Sequence, residues 1–221
     1  MFRAAFAPII VLLLVLLTAT EGPALLSRFL GKPDAEEIFG RDPKVNIKYY
    51  SVSGNSITEI EDAIRKNGPL DAGGKKRRYA YVDWFIFWDW PKETDGSPAL
   101  ARTTSDYKID VLLPKWEPSY SASPETVESW NNLLNALIYH EKGHIDFARL
   151  HVNEVANAIV NAAIQDPKLS IEEASKIGKA EVAKIKELDI AYDRETKHGL
   201  TQGVELSKSS SIETNYLVDA R

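Results

Sequence analysis

The chain has 221 residues, a formal net charge of −5 at pH 7 and a sequence pI of about 5.5. This acidic balance argues against nucleic acid as a partner, because a protein that follows a phosphate backbone needs a basic face. The sequence has no cysteine, so disulfides cannot stabilise it, and its stability must come from a hydrophobic core or from a bound metal.

The N-terminus has the layout of an export signal. Arg3 precedes an almost unbroken apolar run from residue 4 to residue 17, and small and polar residues follow as far as Gly22. This pattern predicts that residues 1–22 are a signal peptide or an N-terminal anchor, so the protein is expected in the periplasm or outside the cell. An uncleaved segment would tether it to the inner membrane. Residues 23–44 are predicted to be a linker or an amphipathic segment.

Residues 45–113 are predicted to form the β-rich part of the chain. Residues 45–52 alternate as a strand, and Ser56 with Glu59 forms a capping box for a short helix that stops at Gly68. Residues 79–90 carry aromatic side chains at both alternating sets of positions, which predicts a strand covered on both faces. A second strand at residues 107–113 is expected to pair antiparallel with it and to end at Pro114.

A long amphipathic helix is predicted to follow, from the cap at Ser123 and Pro124 to Asp166. It carries His140, Glu141 and His144 in the spacing H-E-x-x-H. Residues i and i+4 lie on one helix face, so both imidazoles can reach one metal ion while the carboxylate reaches a water molecule. This is the zincin arrangement, which predicts a zinc cofactor (Zn²⁺) held by His140 and His144, with Glu141 as the general base.

The third metal ligand is expected from a second helix that runs back along the first. A capping box at Ser170 opens a helix that is predicted to reach about Lys197. Counting 1.5 Å per residue on antiparallel helices from a turn near residue 168 places residues 192–196 level with the two histidines.

Three side chains in this returning segment are candidates for the site. His198 is the preferred metal ligand, with Asp193 as an acceptor that orients a ligand imidazole. The swapped assignment, with Asp193 on the metal and His198 at the oxyanion, is chemically as sensible. Tyr192 is a further candidate for stabilising the charged intermediate. His151 is too far along the helix to share the same ion.

Several separated motifs resemble a known family of predicted secreted bacterial zinc-dependent proteases, filed as domain of unknown function 922. The resemblance covers about residues 49–203. It depends on motifs listed here in chain order: Tyr50-Ser51-Val52-Ser53-Gly54, Asn67-Gly68-Pro69, the strand around Trp84, Leu113-Pro114-Lys115-Trp116, Tyr139-His140-Glu141-Lys142-Gly143-His144, and Tyr192-Asp193 through Thr196 to His198-Gly199 and Gln202-Gly203. It implies a zincin-like metallopeptidase in which both Asp193 and His198 belong to the site.

Together these features predict an α+β fold with a small, mostly antiparallel sheet packed on the long HExxH helix and an antiparallel C-terminal helix. The zincin-like domain is expected at residues 45–203, with a flexible tail at 204–221. The expected function is hydrolysis of a polypeptide substrate, which the strand at residues 107–113 would align as an exposed sheet edge. Two alternatives stay open. One is an envelope module with a closed structural metal site, and the other is a zinc amidase acting on cell-wall material.

Overall fold

The computed structural model describes residues 34–71, 74–119 and 121–206. Within them the chain forms an α+β fold with a small three-stranded sheet and two long helices. The strands are β1 (Val45–Val52), β2 (Tyr81–Asp89) and β3 (Thr104–Trp116), and the helices are α1 (Ala35–Phe39), α2 (Ile57–Asn67), α3 (Pro124–Gln165) and α4 (Ile171–Glu195). Short 3-10 turns lie at Leu100–Arg102 and Leu200–Gln202.

The sheet is mixed rather than mostly antiparallel, and its order is β1-β3-β2. β2 pairs antiparallel with β3 as expected, but β1 pairs with β3 in parallel. The prediction that β3 is an exposed edge is therefore wrong, because both of its sides are paired. Alternation in a sequence shows which side chains share a face of a strand, but it does not show which strands lie beside it.

β2 is an edge strand that is covered on only one face. Trp84 and Ile86 are buried, whereas Phe85 and Phe87 are each 52% exposed. The expectation that both faces are covered is wrong, because aromatic residues at alternating positions indicate a strand without indicating what packs on each side of it.

β3 continues through Pro114 to Trp116, although Pro114 was expected to end it. Ile109 donates its N–H to Lys44 on the β1 side, so by alternation the nitrogen of Pro114 faces the β2 side. β2 pairs with β3 only as far as Leu112, and no ladder hydrogen bond is lost at the proline.

The two long helices match their predicted starting points. The Ser123 hydroxyl accepts the N–H of Thr126 at the start of α3, and Ser170 with Glu173 forms a reciprocal capping box at the start of α4. α3 ends at Gln165, and α4 ends at Glu195, two residues before the expected end. One face of α3 packs on the sheet through a shared apolar core, whose fully buried members include Leu133, Leu137, Ile138 and Ile145 of α3 and Ile109, Val111 and Leu113 of β3.

Segments on either side of the predicted domain also contribute to this core. Phe39 is buried in α1, and Arg149 of α3 donates to its carbonyl at 2.6 Å, which fixes part of the predicted linker 23–44 against the domain. In the predicted tail 204–221, Val204 and Leu206 are buried. Residues 207–221 of that tail, residues 23–33 of the linker and the predicted leader at 1–22 lie outside the described residues. Among the described helices, none is both long enough and apolar enough to cross a membrane.

Candidate metal centre

Two helices bring together three side chains that could hold a metal ion. His140 and His144 lie one turn apart on α3, and Asp193 approaches them from α4. The Nε2 atoms of the two histidines are 3.4 Å apart, and Oδ1 of Asp193 is 3.3 Å from each of them. The three donor atoms therefore form a nearly equilateral triangle.

The size of this triangle fits a zinc ion. Zinc in proteins is usually tetrahedral, with nitrogen and oxygen ligands at about 2.0–2.1 Å, which puts neighbouring ligand atoms about 3.3–3.4 Å apart. The three donors of this chain have that spacing. Their chemistry also suits zinc, because imidazole and carboxylate are among its common ligands.

Each imidazole is oriented through its other nitrogen. Nδ1 of His144 lies 2.6 Å from Oδ1 of Asp189, and Nδ1 of His140 lies 2.9 Å from Oε1 of Gln202. Both partners accept hydrogen bonds, so each Nδ1 carries a proton and donates it. This arrangement turns the two Nε2 atoms toward the shared position, as metal-ligating histidines require.

The structure brings Asp193, rather than His198, to the two imidazoles. His198 stands behind Asp193, with its Nδ1 at 2.9 Å from Oδ2 of that carboxylate. The position of Asp193 agrees with the alternative assignment, in which Asp193 is the metal ligand. That assignment put His198 at the oxyanion, whereas in the structure His198 contacts the Asp193 carboxylate. On its other side, Nε2 of His198 lies 3.4 Å from the guanidinium of Arg78.

The backbone that presents His198 is unusual. Lys197 and His198 have φ angles of 51° and 55°, and Gly199 follows at 83°, so three consecutive residues are left-handed. Such angles are costly for residues that carry a side chain, and they concentrate at functional sites. Gly199 packs against His140 and Val204 so closely that an added Cβ would lie 3.1 Å from the His140 ring and 2.5 Å from Val204. The turn after α4 is thus built around the metal centre.

Glu141 lies beside the ligands and is buried, with 5% of its surface exposed. Burial raises the pKa of this carboxyl to about 7, although His144 and His140 act to lower it. A general base works best when its pKa is near the working pH, so the environment of Glu141 suits proton transfer near neutrality.

Charge in the centre is unevenly distributed. Burial acts to raise the pKa of Asp193, but hydrogen bonds from His140 and His144 hold it well below its usual range. Burial likewise acts to lower the pKa of His144, but Asp189 and Asp193 raise it to about 10. In the absence of metal, a proton on His144 is therefore stabilised, and a bound cation would take over its role of balancing two nearby carboxylates.

Tyr192 packs against the helix that carries the histidines. Its ring stacks on His140, with centroids 5.3 Å apart, and its hydroxyl donates to the His140 carbonyl at 3.2 Å. Gly143 makes this approach possible, because a Cβ there would overlap the tyrosine hydroxyl. Gln202 also donates to that hydroxyl at 3.2 Å. Through these contacts the Tyr192 side chain packs between α4 and α3 and positions one helix against the other. The role of Tyr192 in stabilising the charged intermediate stays a prediction.

The sequence of this chain matches one known family. A family model described as a bacterial protein of unknown function, DUF922, matches residues 47–199. The chain belongs to this family. Searches of curated proteins and of solved structures find no match. The DUF922 match begins within β1 and includes the whole metal centre except Gln202.

Sequence reasoning missed Asp189 and Gln202. Asp189 precedes Asp193 by four residues, so the two carboxylates repeat on α4 the i, i+4 spacing of the histidines on α3, and that spacing was the available signal. Gln202 belongs to a motif of the family resemblance, but no sequence periodicity indicates that it orients His140. His151 lies outside the three-donor group and pairs with Glu154 at 2.9 Å.

Proposed function

We propose that this DUF922 protein is an exported zinc-dependent hydrolase, most simply a peptidase. The observation that carries the proposal is the triangle of Nε2 of His140, Nε2 of His144 and Oδ1 of Asp193, spaced as three corners of a zinc tetrahedron, with the buried carboxyl of Glu141 beside it. A histidine pair alone would support metal binding. The added carboxyl, buried beside the three donors, supports catalysis because it is placed to act as a general base.

The ligand count favours a catalytic site over a closed structural one. Structural zinc is closed by four protein ligands, whereas catalytic zinc is held by three and keeps a position for water or substrate. Among the described residues, three side chains meet at the centre, and His198 contacts Asp193 instead of joining them. This favours the hydrolase over the envelope module with a closed site.

In the proposed mechanism, different residues bind the metal, transfer the proton and orient the ligands. His140, His144 and Asp193 would hold zinc, which when bound lowers the pKa of a coordinated water to near neutral and polarises a carbonyl. Glu141 accepts a proton from the attacking water and passes it to the leaving amine. Asp189, Gln202 and His198 keep the ligands in place.

Export and the polypeptide substrate rest on the sequence. The apolar run at residues 4–17 behind Arg3 supports a signal peptide or a membrane tether. The HExxH pattern supports attack on an amide carbonyl, and a cell-wall amide is the runner-up substrate because the zinc chemistry would be the same.

The proposal is tested by replacing the base while keeping the ligands. We expect Glu141→Gln to bind about one zinc per chain, as the starting protein does, but to lose at least about 100-fold in cleavage of an unstructured polypeptide, because general-base catalysis contributes about 10²–10⁴-fold. Glu128→Gln, an exposed position on the same helix, is the matched control and should keep activity. Undiminished cleavage by Glu141→Gln would refute the mechanism. Cleavage of purified peptidoglycan but not of polypeptide would replace the peptidase with the amidase.

A further inference from the structure

We propose that Arg78 forms a subsite that binds a carboxylate of the substrate next to the metal centre. The proposal rests on the proposed hydrolase function and specifies the chemistry of its substrate. The guanidinium of Arg78 contacts Nε2 of His198, whose Nδ1 contacts the metal-facing carboxylate of Asp193. A group bound at Arg78 would therefore be separated from Asp193, a proposed metal ligand, by the imidazole ring of His198.

A pocket opens at this arginine. It has a volume of about 190 Å³, enough for a small polar group but not for a whole ligand of drug size. Its lining includes three arginines and one acid, and the full set is Glu61, Ile64, Arg65, Arg77, Arg78 and Tyr79. Positive charge therefore exceeds negative charge around it.

The three guanidinium groups are not equivalent. Arg65 forms an ion pair with Asp62, and Arg77 donates to the carbonyl of Gly68 at 2.5 Å. Arg78 is half-buried, and within the described part of the chain its guanidinium forms no ion pair. A guanidinium has five N–H donors, and His198 accepts only one of them. Arg78 thus retains the donors needed to hold a carboxylate through two parallel hydrogen bonds.

The tautomer of His198 is consistent with this role. Its Nδ1 donates to Asp193, so its Nε2 presents a lone pair to Arg78. The contact orients the arginine through a hydrogen bond and brings no negative charge to it, because an imidazole ring is not an anion.

The backbone at Arg78 is fixed before any ligand arrives. Its N–H donates to the carbonyl of Pro69 at 2.8 Å, and the next carbonyl, of Tyr79, accepts the hydroxyl of Tyr50 at 2.7 Å. Gly68 packs against the same segment so closely that an added Cβ would overlap the Arg78 carbonyl. Such preorganisation lowers the entropic cost of binding, because little of the chain has to become ordered around the ligand.

A carboxylate can reach this subsite from two parts of a peptide, namely its C-terminus or an acidic side chain. Both present the same planar pair of oxygens, so the structure specifies the chemistry and an experiment must identify the source. Glu61, in the same pocket, is expected to oppose binding of either one by repulsion.

The test measures peptide binding to the zinc-loaded, full-length Glu141→Gln protein by calorimetry. Three acetylated peptides of equal length are compared: one with a free C-terminus, one amidated, and one amidated with an internal glutamate. We expect at least one carboxylate-bearing peptide to bind about tenfold or more tightly than the amidated neutral peptide, because hydrogen bonds between charged groups are stronger than those between neutral groups. The peptide that gains affinity identifies the source of the carboxylate.

Variants at the pocket assign this gain to Arg78. Arg78→Gln should remove the difference between the acid and the amide, and Arg78→Lys, which keeps the charge but not the paired donors, should leave a smaller difference. Arg65→Gln is the matched control, because that guanidinium is already paired with Asp62, and the gain should persist there. Glu61→Gln should increase it.

Several outcomes would overturn the subsite. They are equal binding of all three peptides, absence of binding by any of them, an equal loss for acid and amide in Arg78→Gln, or a difference that survives in Arg78→Gln. Failure of the hydrolase proposal gives a different result: the carboxylate preference persists, but the protein with Glu141 intact cleaves none of the peptides. Cleavage without any carboxylate preference would leave the hydrolase and remove only the subsite.

Discussion

The two ends of the α3–α4 hairpin bury their side chains equally well but with opposite chemistry. Near the turn, Ile159 and Ala174 are fully buried in apolar contacts, and Gly178 lies against Trp88. At the open end, His140 and Glu141 are 4% and 5% exposed, although both are polar. Apolar burial stabilises without directional demands, whereas buried polar groups are tolerated only when each one meets a partner. We therefore expect close packing at the apolar end to maintain the helix alignment on which the polar end depends.

The largest effect is expected from removing a ligand at the polar end. His140→Ala should abolish stoichiometric zinc binding and hydrolysis together, because two of the three donors cannot hold the ion at the same affinity. His151→Ala, on the same helix but paired with Glu154, is the matched control and should retain both. Metal analysis after dialysis and a cleavage assay measure the outcome. Full zinc occupancy in His140→Ala would contradict the assignment of the centre.

The next largest effect is expected from comparing Asp193, the proposed ligand, with His198, which contacts it. Asp193→Ala should lose zinc as His140→Ala does, whereas His198→Ala should keep one zinc per chain and lose affinity by about 10–100-fold, the usual effect of removing a partner of a ligand. Competition with a chelating indicator measures both affinities. The reverse order would restore His198 as the third ligand and make Asp193 its support.

At the apolar end, Gly178→Ala tests whether packing secures the alignment. A Cβ there would lie 2.8 Å from Cζ2 of Trp88 and 3.1 Å from Cδ1 of Ile159. Overpacking costs about 1–3 kcal/mol, which outweighs the gain of about 0.5–1 kcal/mol from replacing a helical glycine. Denaturant unfolding should therefore show a net loss of stability, and zinc affinity should fall as well. Lys179→Ala, an exposed neighbour, is the control. An increase in the free energy of unfolding would contradict the packing argument.

The smallest effect is a pH dependence of zinc affinity at the polar end. Burial acts to lower the pKa of His144, but Asp189 and Asp193 raise it to about 10, so below that pH a metal ion must displace a proton from the imidazole. Affinity should therefore rise with pH, by about tenfold per unit for one displaced proton. Indicator competition at pH 7.5 and 8.5 measures the slope. Asp189→Asn removes an acceptor that raises this pKa and should flatten it, and an affinity independent of pH would show that His144 is already neutral.

Several local features were predictable from the sequence because they depend on neighbours along the chain. The cap at Ser123, the capping box at Ser170 and the i, i+4 spacing of His140 and His144 all appear in the structure as expected. A helix period and a capping hydrogen bond involve residues within one turn of each other, so the sequence is sufficient to specify them.

The sequence predicted to within one helical turn which residues of α4 lie opposite His140 and His144. That precision was not enough to decide whether Asp193 or His198 meets the two imidazoles. Counting from residue 168 set His144 level with residue 192, whereas His144 meets Asp189 and His140 meets Asp193. The offset of about three residues corresponds to about 4.5 Å along the helix. Residues in an extended turn advance up to about 3.3 Å each instead of 1.5 Å. The turn has therefore already carried the chain some distance back along the axis of α3 when α4 begins.

That two imidazoles and a carboxyl share one stretch of helix follows from the order of residues alone, because a helical repeat fixes which side chains lie on the same face. That Asp193 completes the triangle, that His198 contacts it from behind, and that β3 lies in the middle of the sheet follow only from the folded arrangement. Those outcomes depend on the path of a turn and on packing between segments far apart in the chain. The periodicity of a sequence indicates neither the path of a turn nor the packing of distant segments.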